Sequence, residues 1–322
     1  MITISLCMIV KNEEKVLARC LDSIADLMDE IIIVDTGSSD NTKEIAKKYT
    51  DKIYDFAWID DFSAARNYSF SKATKEYIYV ADADEVIDAD NHQKLAELKE
   101  ILLPEIEIVQ MRYCNQLANG TAYNFDAEYR PKLYKRQREF TWIEPVHEMV
   151  RLDPVVYDSE IDILHMPESV HSSRDFAVFQ KQIQKGQRLS KRLHHMYAME
   201  LYISGNDEDV LQAEPYFAAT ACEPDRSLDE VKEAACIVVR AARLRGDSGA
   251  ILKMCLKDLL SEGSSEMCYE LGEYFYEKKD YDEAAMWYYN AMNETNSILN
   301  IHTSTDWPKA RYEEIEKKIA GK

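Results

Sequence analysis

Short apolar runs alternate with stretches of helical spacing over the first third of the chain, and this alternation restricts the fold more than any other feature. Runs rich in β-branched and aromatic residues predict strands at 3–10, 31–35, 53–56 and 77–81. Between them, apolar residues lie three or four apart and predict helices at 13–28, 40–49 and 64–72. Such an order forms β-α-β units, so we predict an α/β domain with a mostly parallel sheet. Asp40 and Ser63 are the expected N-caps of the second and third helices.

The pattern changes in the middle of the chain. Short strand-like runs at 106–112, 133–134, 149–152 and 161–164 are interrupted by loops with aromatic residues, including Tyr123, Tyr129 and Trp142. We interpret this part as an extension of the sheet that forms one side of a cleft. Strand signals stop at the segment 166–173, and helical spacing follows. We therefore predict two domains, an α/β domain at 1–165 and an all-helical domain at 166–322.

The helical part contains one clear internal repeat. Leu271 is followed by Ala284, Tyr288 and Ala291 at offsets of 13, 17 and 20 residues. The two helices of a tetratricopeptide repeat need small or aromatic residues at these offsets to pack closely. A weaker copy is expected at 199–224, with Tyr216, Ala219 and Pro224 in the second half of the pattern. The tail is therefore predicted to be repeat-like.

Composition excludes several classes of protein. The formal net charge of −20 repels phosphate, so a nucleic-acid polymer is not an expected partner, and a small anionic ligand would need a local cation. The seven cysteines are scattered without a Cys-x-x-Cys pair, which disfavours a disulfide framework or zinc ribbon and fits a reducing compartment. No apolar run approaches the ~18 residues that span a bilayer, and we expect a cytoplasmic enzyme.

Asp82 and Asp84 directly follow the predicted strand at 77–81. In an open parallel sheet, ligands bind outside the carboxyl ends of the strands. Two carboxylates separated by one residue can address a divalent cation and a ribose together, and His165, which follows the run 161–164, is a third candidate ligand. Mn²⁺ or Mg²⁺ accepts such ligands and is completed by phosphate oxygens and water. A solvated acidic loop is the alternative, but the position at a strand end favours a metal site.

Asp35 ends the predicted strand at 31–35 in the same way. Its carboxylate can accept from a base N–H or a ribose hydroxyl, and the following turn at 36–39 is tight enough to admit a ligand. Arg66 lies near the start of a predicted helix, and its planar guanidinium can donate to two oxygens of a diphosphate. Surface salt bridging is the alternative for Arg66 and for Lys11, which lies in the turn after the first strand.

Residues 142–148 combine an aromatic ring with three ionisable side chains. The ring of Trp142 is suited to stacking on a sugar. A general base needs a carboxylate or an imidazole within hydrogen-bond reach of the nucleophile. Glu144, His147 and Glu148 all satisfy this requirement by residue type, and the sequence alone leaves the three open.

Four ordered segments together resemble the family 2 glycosyltransferases of the GT-A fold. They are SLCMIVKNEE, IIIVDTGSSDNT, DFSAARN and ADADE, beginning at residues 5, 31, 61 and 81. The chain is particularly similar to the bacterial subgroup that carries a tetratricopeptide-like tail and includes peptide S-glycosyltransferases of the SunS type. The resemblance covers about residues 3–165 closely and the tail loosely. It implies a Rossmann-like nucleotide-sugar-binding catalytic domain followed by a TPR-like helical domain.

The resemblance also implies roles for individual residues. The donor-binding residues would be Val10, Asn12, Glu13, Asp35, Arg66 and Asp82. Asp35 would contact the nucleobase of the donor. Asp84 and His165 would bind the metal, Mn²⁺ or Mg²⁺. The pair His147 and Glu148 is similar to the His-Glu motif on the acceptor side of this subgroup. The usual family 2 base motif, Glu-Asp followed by a basic helix, is absent, and Glu148 is its nearest equivalent.

The implied reaction is inverting, metal-dependent transfer of a sugar from a nucleotide-sugar donor, with UDP-sugar expected, to a protein, peptide or glycan acceptor. Two other classes remain open. A repeat-based interaction protein with an inactive α/β domain would not need this intact set of polar residues. A nucleotidyltransferase normally has a Gly-rich basic loop after its first strand, where this chain has KNEEK. The tail is expected to position a macromolecular acceptor or a second subunit in a homo-oligomer, with capping of the catalytic domain as the alternative.

Overall fold

The structure is a computed structural model that describes residues 1–115, 126–150, 153–167, 172–259 and 263–320. It divides into two compact units, Met1–His171 and Ser172–Lys322, a few residues after the boundary proposed from the sequence. Tyr123 and Leu152, which the sequence placed in a loop and at a strand end, lie outside the described residues. No helix in the described ranges is long and apolar enough to cross a membrane.

The first unit contains an eight-stranded, mostly parallel sheet with the strand order β3-β2-β1-β4-β7-β6-β10-β5. Its strands are β1 (Ile4–Val10), β2 (Glu30–Asp35), β3 (Ile53–Asp55), β4 (Tyr77–Val80), β5 (Glu85–Val86), β6 (Ile108–Cys114), β7 (Glu128–Lys135) and β10 (Val156–His165). The first four pair in parallel, and β6 pairs in parallel with β10. Strand β7 runs antiparallel between β4 and β6, and β5 runs antiparallel to β10. A separate hairpin consists of β8 (Trp142–Ile143) and β9 (Met149–Val150). The α/β fold predicted from the alternating pattern is confirmed.

Helices cover both faces of this sheet, because residues of β1 and β2 alternate between two apolar clusters. One cluster joins Leu6 and Met8 of β1 to α1 and α4, and the other joins Cys7 of β1 and Val34 of β2 to α3. The helices of this unit are α1 (Leu17–Ile24), α2 (Thr42–Ala46), α3 (Phe62–Phe70) and α4 (Ala89–Ile101), with 3₁₀ turns at Ala25–Leu27 and Arg136–Arg138.

The two predicted N-caps are corrected by the structure. Asp61, not Ser63, caps α3, since its carboxylate accepts from the backbone N–H of Ala64 at 3.0 Å, while Ser63 lies inside the helix. Asn41 occupies the N-cap position of α2. Asp40 still accepts from the N–H of Thr42 at 3.0 Å, but its second oxygen accepts from the N–H of Glu14 at 3.2 Å and so joins two loops.

The second unit consists of helices in its described part. They are α5 (Ser172–Gln184), α6 (Lys191–Ser204), α7 (Asp207–Thr220), α8 (Leu228–Leu244), α9 (Ser248–Leu259), α10 (Ser265–Glu277), α11 (Tyr281–Asn293) and α12 (Asp306–Ala320), with a 3₁₀ turn at Ile301–Ser304. The predicted repeat residues Leu271, Ala284, Tyr288 and Ala291 are all buried, in agreement with a TPR-like helix pair. The weaker copy was misaligned, because Ala219 is exposed while Phe217 and Thr220 are buried in α7.

Candidate functional site

Asp84 and His165 come together although 81 residues separate them. Strand β5 pairs with β10 in a register that places Glu85 opposite His165. This pairing brings Asp84 Oδ2 to 3.2 Å from His165 Nε2, and the carbonyl of Asp84 accepts from the N–H of Met166 at 2.9 Å. Both side chains are largely buried, with 14% and 15% exposed. The sequence placed both residues in one metal site, and the structure brings them into direct contact.

The donor set of this pair suits a hard divalent cation. A carboxylate oxygen and an imidazole nitrogen are both common ligands of Mn²⁺, and Mg²⁺ accepts the carboxylate. Across the described ranges, no group of three or more histidine, cysteine, aspartate or glutamate side chains is arranged to hold a metal. Asp84 and His165 could therefore supply two ligands to a cation, and phosphate oxygens and water would have to complete its coordination.

Arg66 of α3 binds two carboxylates from distant parts of the chain. Its Nη2 donates to Asp82 Oδ1 at 3.0 Å, and its Nε donates to Glu148 Oε1. The side chains of Arg66 and Glu148 are each 11% exposed, so the pair is shielded from water. Burial would lower the pKa of Arg66, but the two carboxylates hold it above its usual value. Arg66 was predicted to meet a diphosphate, whereas here it connects the Asp-x-Asp turn to the loop that carries Glu148.

Asp82 is held in its ionised form. Burial alone would raise the pKa of this carboxyl, but the guanidinium of Arg66 and the ammonium of Lys132 lower it well below its usual range. Asp82 therefore carries a full negative charge at neutral pH. Its side chain is 39% exposed, so it remains accessible to a polar ligand.

Asp35 ends β2 and is 1% exposed. Its Oδ1 accepts from the backbone N–H groups of Gly37 and Ser38, each at 2.9 Å. Its Oδ2 is buried and has no hydrogen-bond partner among the described residues. Gly37 has a φ of 107°, which favours glycine, and a Cβ at this position would meet no heavy atom within 4 Å. An unsatisfied acceptor thus lies at a turn with open space beside it.

The loops after β1 and β2 are bound to each other. The N–H of Asn12 donates to Ser38 Oγ at 2.9 Å, and Asn12 Oδ1 accepts from the N–H of Ser39 at 2.8 Å. The N–H of Glu13 donates to Thr42 Oγ1 at 2.7 Å. The carbonyl of Val10, another predicted donor-binding residue, accepts from the N–H of Thr36 at 2.9 Å. These contacts hold the two loops together and engage the backbone N–H groups of Asn12 and Glu13, so those two N–H groups are not available to a ligand.

The predicted stacking role of Trp142 is wrong. Trp142 is only 8% exposed, and its ring packs against Phe70 and Tyr134 at centroid distances of 5.7 and 5.5 Å. Both backbone polar groups of Trp142 bond to the side-chain amide of Asn67, at 2.8 and 2.9 Å. The ring of Trp142 is buried in the core, so it cannot lie against a sugar.

The loop between β8 and β9 contains two residues with left-handed backbone conformation, Glu144 at φ 72° and His147 at φ 47°. Such angles are uncommon outside glycine and occur where the surrounding structure enforces them. The carbonyl of Pro145 accepts from the N–H of Phe62 at 2.9 Å and ties this loop to the start of α3. Among the three candidate bases, Glu148 is linked to the Asp-x-Asp turn through Arg66.

The sequence interpretation missed a buried ion pair between Glu85 and Lys132 of β7. The two side chains are 3% and 5% exposed. Burial raises the pKa of Glu85 to about 7, although the ammonium of Lys132 opposes this shift. Lys132 Nζ lies 5.3 Å and Arg130 Cζ 3.9 Å from the ring centre of Tyr113, which in turn lies 5.2 Å from the ring of His165. Two cations two residues apart in a central strand are the signal that could have identified this cluster.

Parts of this chain are similar to known proteins. The model of the glycosyl transferase family 2 matches residues 5–151. The glycosyltransferase SunS of Bacillus subtilis is 40% identical over 102 residues, which are 31% of this chain and 24% of that protein. A TPR repeat-containing protein of Synechococcus elongatus is 51% identical over 85 residues, 26% of this chain and 21% of that protein. The chain thus covers less than a quarter of the length of these two relatives.

Among solved structures, glucosyl-3-phosphoglycerate synthase from Mycobacterium tuberculosis in complex with Mg²⁺ and uridine diphosphate is similar, with 15% sequence identity and a TM-score of 0.42. The likeness covers 59% of this chain and 81% of that one. The family match coincides with the four motifs that carry the resemblance in the sequence. Residues 5–151 of this chain are therefore a glycosyl transferase family 2 domain.

Proposed function

We propose that this protein is an inverting glycosyltransferase that moves a sugar from a nucleotide-sugar donor, a UDP-sugar, to a protein, peptide or glycan acceptor with the help of Mn²⁺ or Mg²⁺. The main support is Arg66, which binds Asp82 of the Asp-x-Asp turn and Glu148 of the loop after β8. A donor-side carboxylate and a candidate base thereby belong to one charged cluster. Such an arrangement is what a single-displacement reaction requires, since nucleophile and leaving group must meet at one carbon.

The donor nucleotide is proposed to lie against Asp35. Its buried Oδ2 lacks a hydrogen-bond partner in the described part of the chain, and a base N–H such as that of uracil would satisfy it. The open space beside Gly37 leaves room for the ring. Because Asn12 connects the loops after β1 and β2 by hydrogen bonds, the turn that follows Asp35 is held in place before the nucleotide binds.

The diphosphate is proposed to bind where Asp84 and His165 meet. These two side chains would hold Mn²⁺ or Mg²⁺, which when bound offsets the negative charge of the departing nucleoside diphosphate. Asp82, kept ionised by Arg66, can accept from a ribose hydroxyl through the oxygen that does not face Arg66. Lys132 and Arg130 lie near Tyr113 but are each paired with a glutamate, Glu85 and Glu128, so the bound cation would have to offset most of the repulsion expected from a chain with a net charge of −20.

Glu148 is proposed to act as the general base. It accepts the proton of the acceptor nucleophile as that atom attacks the anomeric carbon, the bond to the nucleoside diphosphate breaks, and the configuration of the sugar inverts. Arg66 holds one oxygen of Glu148 and leaves the other for the acceptor. The helical unit is proposed to position a macromolecular acceptor or a second subunit, as the concave surfaces of stacked helix pairs do.

Product analysis tests this function. The purified protein is incubated with UDP-sugars and Mn²⁺, and the released products are separated by ion-exchange chromatography. Glycosyl transfer or donor hydrolysis releases UDP, whereas nucleotidyl transfer from a nucleoside triphosphate and a sugar phosphate releases pyrophosphate. Pyrophosphate release, or the absence of any turnover together with an absence of UDP binding, would contradict the proposal.

A further inference from the structure

The helical unit contains a pocket of its own between α8, α10 and α12. Its volume is about 450 Å³, within the range of small-ligand sites. Three arginines line it, Arg240 and Arg243 from α8 and Arg311 from α12, together with the rings of Tyr269 and Trp307. None of the residues assigned above to donor, metal or base lies in this pocket.

Two of these arginines are neutralised by carboxylates. Arg243 Nε donates to Glu270 at 2.5 Å, and its Nη1 donates to Glu277 at 2.7 Å. Arg311 binds both oxygens of Glu273, at 2.8 and 3.0 Å. These pairs hold their side chains in fixed positions and leave little net positive charge for a ligand.

Arg240 differs from both. Its Nη1 and Nη2 donate to the carbonyls of Leu201 and Gly205 at 3.2 and 3.4 Å, and its Cζ lies 5.1 Å from the ring centre of Tyr202. No carboxylate within the described ranges forms an ion pair with it. The carbonyls orient the guanidinium but do not cancel its charge. A carboxylate from a ligand would do so, with hydrogen bonds that are stronger than those to neutral acceptors.

The two aromatic rings of the pocket form a second recognition element. Tyr269 and Trp307 lie 5.6 Å apart with their planes inclined by 47°, and both are partly exposed. His302 stacks on Trp307 at 5.8 Å and supports it. Tilted rings of this kind can pack against a flat or branched apolar side chain, which gains from both burial and ring contacts.

We propose that this pocket binds a peptide segment in which a carboxylate lies next to an aromatic or large aliphatic side chain. The carboxylate pairs with Arg240, and the apolar side chain packs on Tyr269 and Trp307. Glu270 and Glu314 also line the pocket, but each is paired with an arginine, so Arg240 supplies a single uncompensated positive charge, which suits one carboxylate better than a doubly charged phosphate. A neutral sugar would leave the charge of Arg240 uncompensated.

That this peptide belongs to an acceptor rests on the function proposed above. Binding of a peptide in the pocket does not depend on that function. A docking segment bound by the helical unit would raise the local concentration of the acceptor residue without a contact at the transfer site. Acceptor choice would then depend partly on residues remote from the modified one.

Binding of a small probe tests the pocket in the full chain without any donor. N-acetyl-L-phenylalanine carries a carboxylate beside an aromatic ring, and N-acetyl-L-phenylalaninamide lacks only the charge. Saturation-transfer NMR titration should give a Kd on the order of 1 mM for the acid and an at least tenfold weaker Kd for the amide. Arg240→Gln should weaken binding of the acid about tenfold, while Lys253→Gln, which alters an exposed lysine of α9, should leave it unchanged.

Equal binding of acid and amide, or binding of the acid that Arg240→Gln does not weaken, would overturn the proposal. Displacement by inorganic phosphate at lower concentration than by the acid would also overturn it, in favour of a phosphate site. If Arg240→Gln does not fold, as judged by circular dichroism, Trp307→Leu replaces it. This variant should weaken binding of N-acetyl-L-phenylalanine by a similar factor. Because no donor is present, the result is independent of whether the protein transfers a sugar.

Discussion

Asp84 Oδ2 and His165 Nε2 lie 3.2 Å apart because the two-residue strand β5 pairs with the end of β10. The contact joins the Asp-x-Asp turn to the last strand of the sheet. If these two side chains hold a cation as proposed, that cation needs the phosphates of a nucleotide to complete its coordination. Metal and donor should therefore bind together.

We expect Asp84→Asn to weaken UDP binding in the presence of Mn²⁺ by about tenfold or more, because the ligand that anchors the cation loses its charge. Isothermal titration calorimetry with Mn²⁺, with Mg²⁺ and with EDTA measures this effect. Asp90→Asn serves as the control, since Asp90 is an exposed residue in the first turn of α4. Equal affinity for UDP in all three conditions and in both variants would refute metal-dependent binding.

Glu148→Gln should lower acceptor-dependent turnover by ~10²-fold or more while leaving UDP affinity nearly intact. Glutamine can still accept the hydrogen bond from Arg66 Nε but cannot take up the proton. Steady-state kinetics combined with calorimetry separates the two effects. The matched variants are Glu144→Gln and His147→Gln, and a large loss confined to either of them would transfer the role of base to that residue.

Arg66→Met should destabilise the α/β unit by about 3 kcal/mol, because it leaves Glu148 buried without its counter-charge. Adding Glu148→Gln to this variant should restore part of the loss. Arg112→Met is the control: this arginine is 47% exposed and lies 3.4 Å from Asp162, so its loss should cost under about 1 kcal/mol. Urea unfolding compares the wild type with these three variants, and equal effects of the two arginine substitutions would contradict a stabilising role for the Arg66–Glu148 pair.

Gly272→Ala should destabilise the helical unit by about 1–3 kcal/mol. A Cβ at this position would lie 2.4 Å from Cε1 of Tyr288, whose ring is fully buried between α10 and α11. Thermal unfolding is the measurement. Gly249→Ala, where the nearest atom would be 3.5 Å away, should be neutral or slightly stabilising. The double variant Gly272→Ala/Tyr288→Ala should lose less stability than the two single variants lose in sum. Full additivity of the stability losses would argue against this contact.

His194 should make the stability of the helical unit depend on pH. Burial lowers the pKa of His194 from 6.5 to about 4, so the unfolded chain takes up its proton first as the pH falls. The contribution of neutral His194 to the free energy of unfolding is therefore fully present above pH 6.5 and is lost between pH 6.5 and 4. The loss between pH 7 and pH 5 should be about 2 kcal/mol. Urea unfolding at these two pH values should show this loss. His194→Gln should reduce it, whereas His195→Gln, at a side chain that is 39% exposed, should not.

Several features of the fold could be predicted from local patterns alone. The strands and helices before residue 80 appear within a few residues of their predicted bounds, since apolar periodicity reports which face of an element is buried. The positions of Asp35, Asp82 and Asp84 at the carboxyl ends of β2 and β4 follow from the same pattern. A parallel sheet gathers those ends at one edge, so the sequence could identify them as candidate ligand contacts.

Tertiary structure decided the remaining features, because they depend on pairs of residues far apart in the chain. Three contacts join distant segments, and the local sequence of one segment does not identify the other. They are the packing of Trp142 on Phe70, the binding of Asp82 and Glu148 by Arg66, and the ion pair between Glu85 and Lys132. The sequence by itself determined which residue types could bind a metal, a base or a proton. Only the packed sheet determined which of them lie within a few ångströms of one another, since strand order and register set those distances.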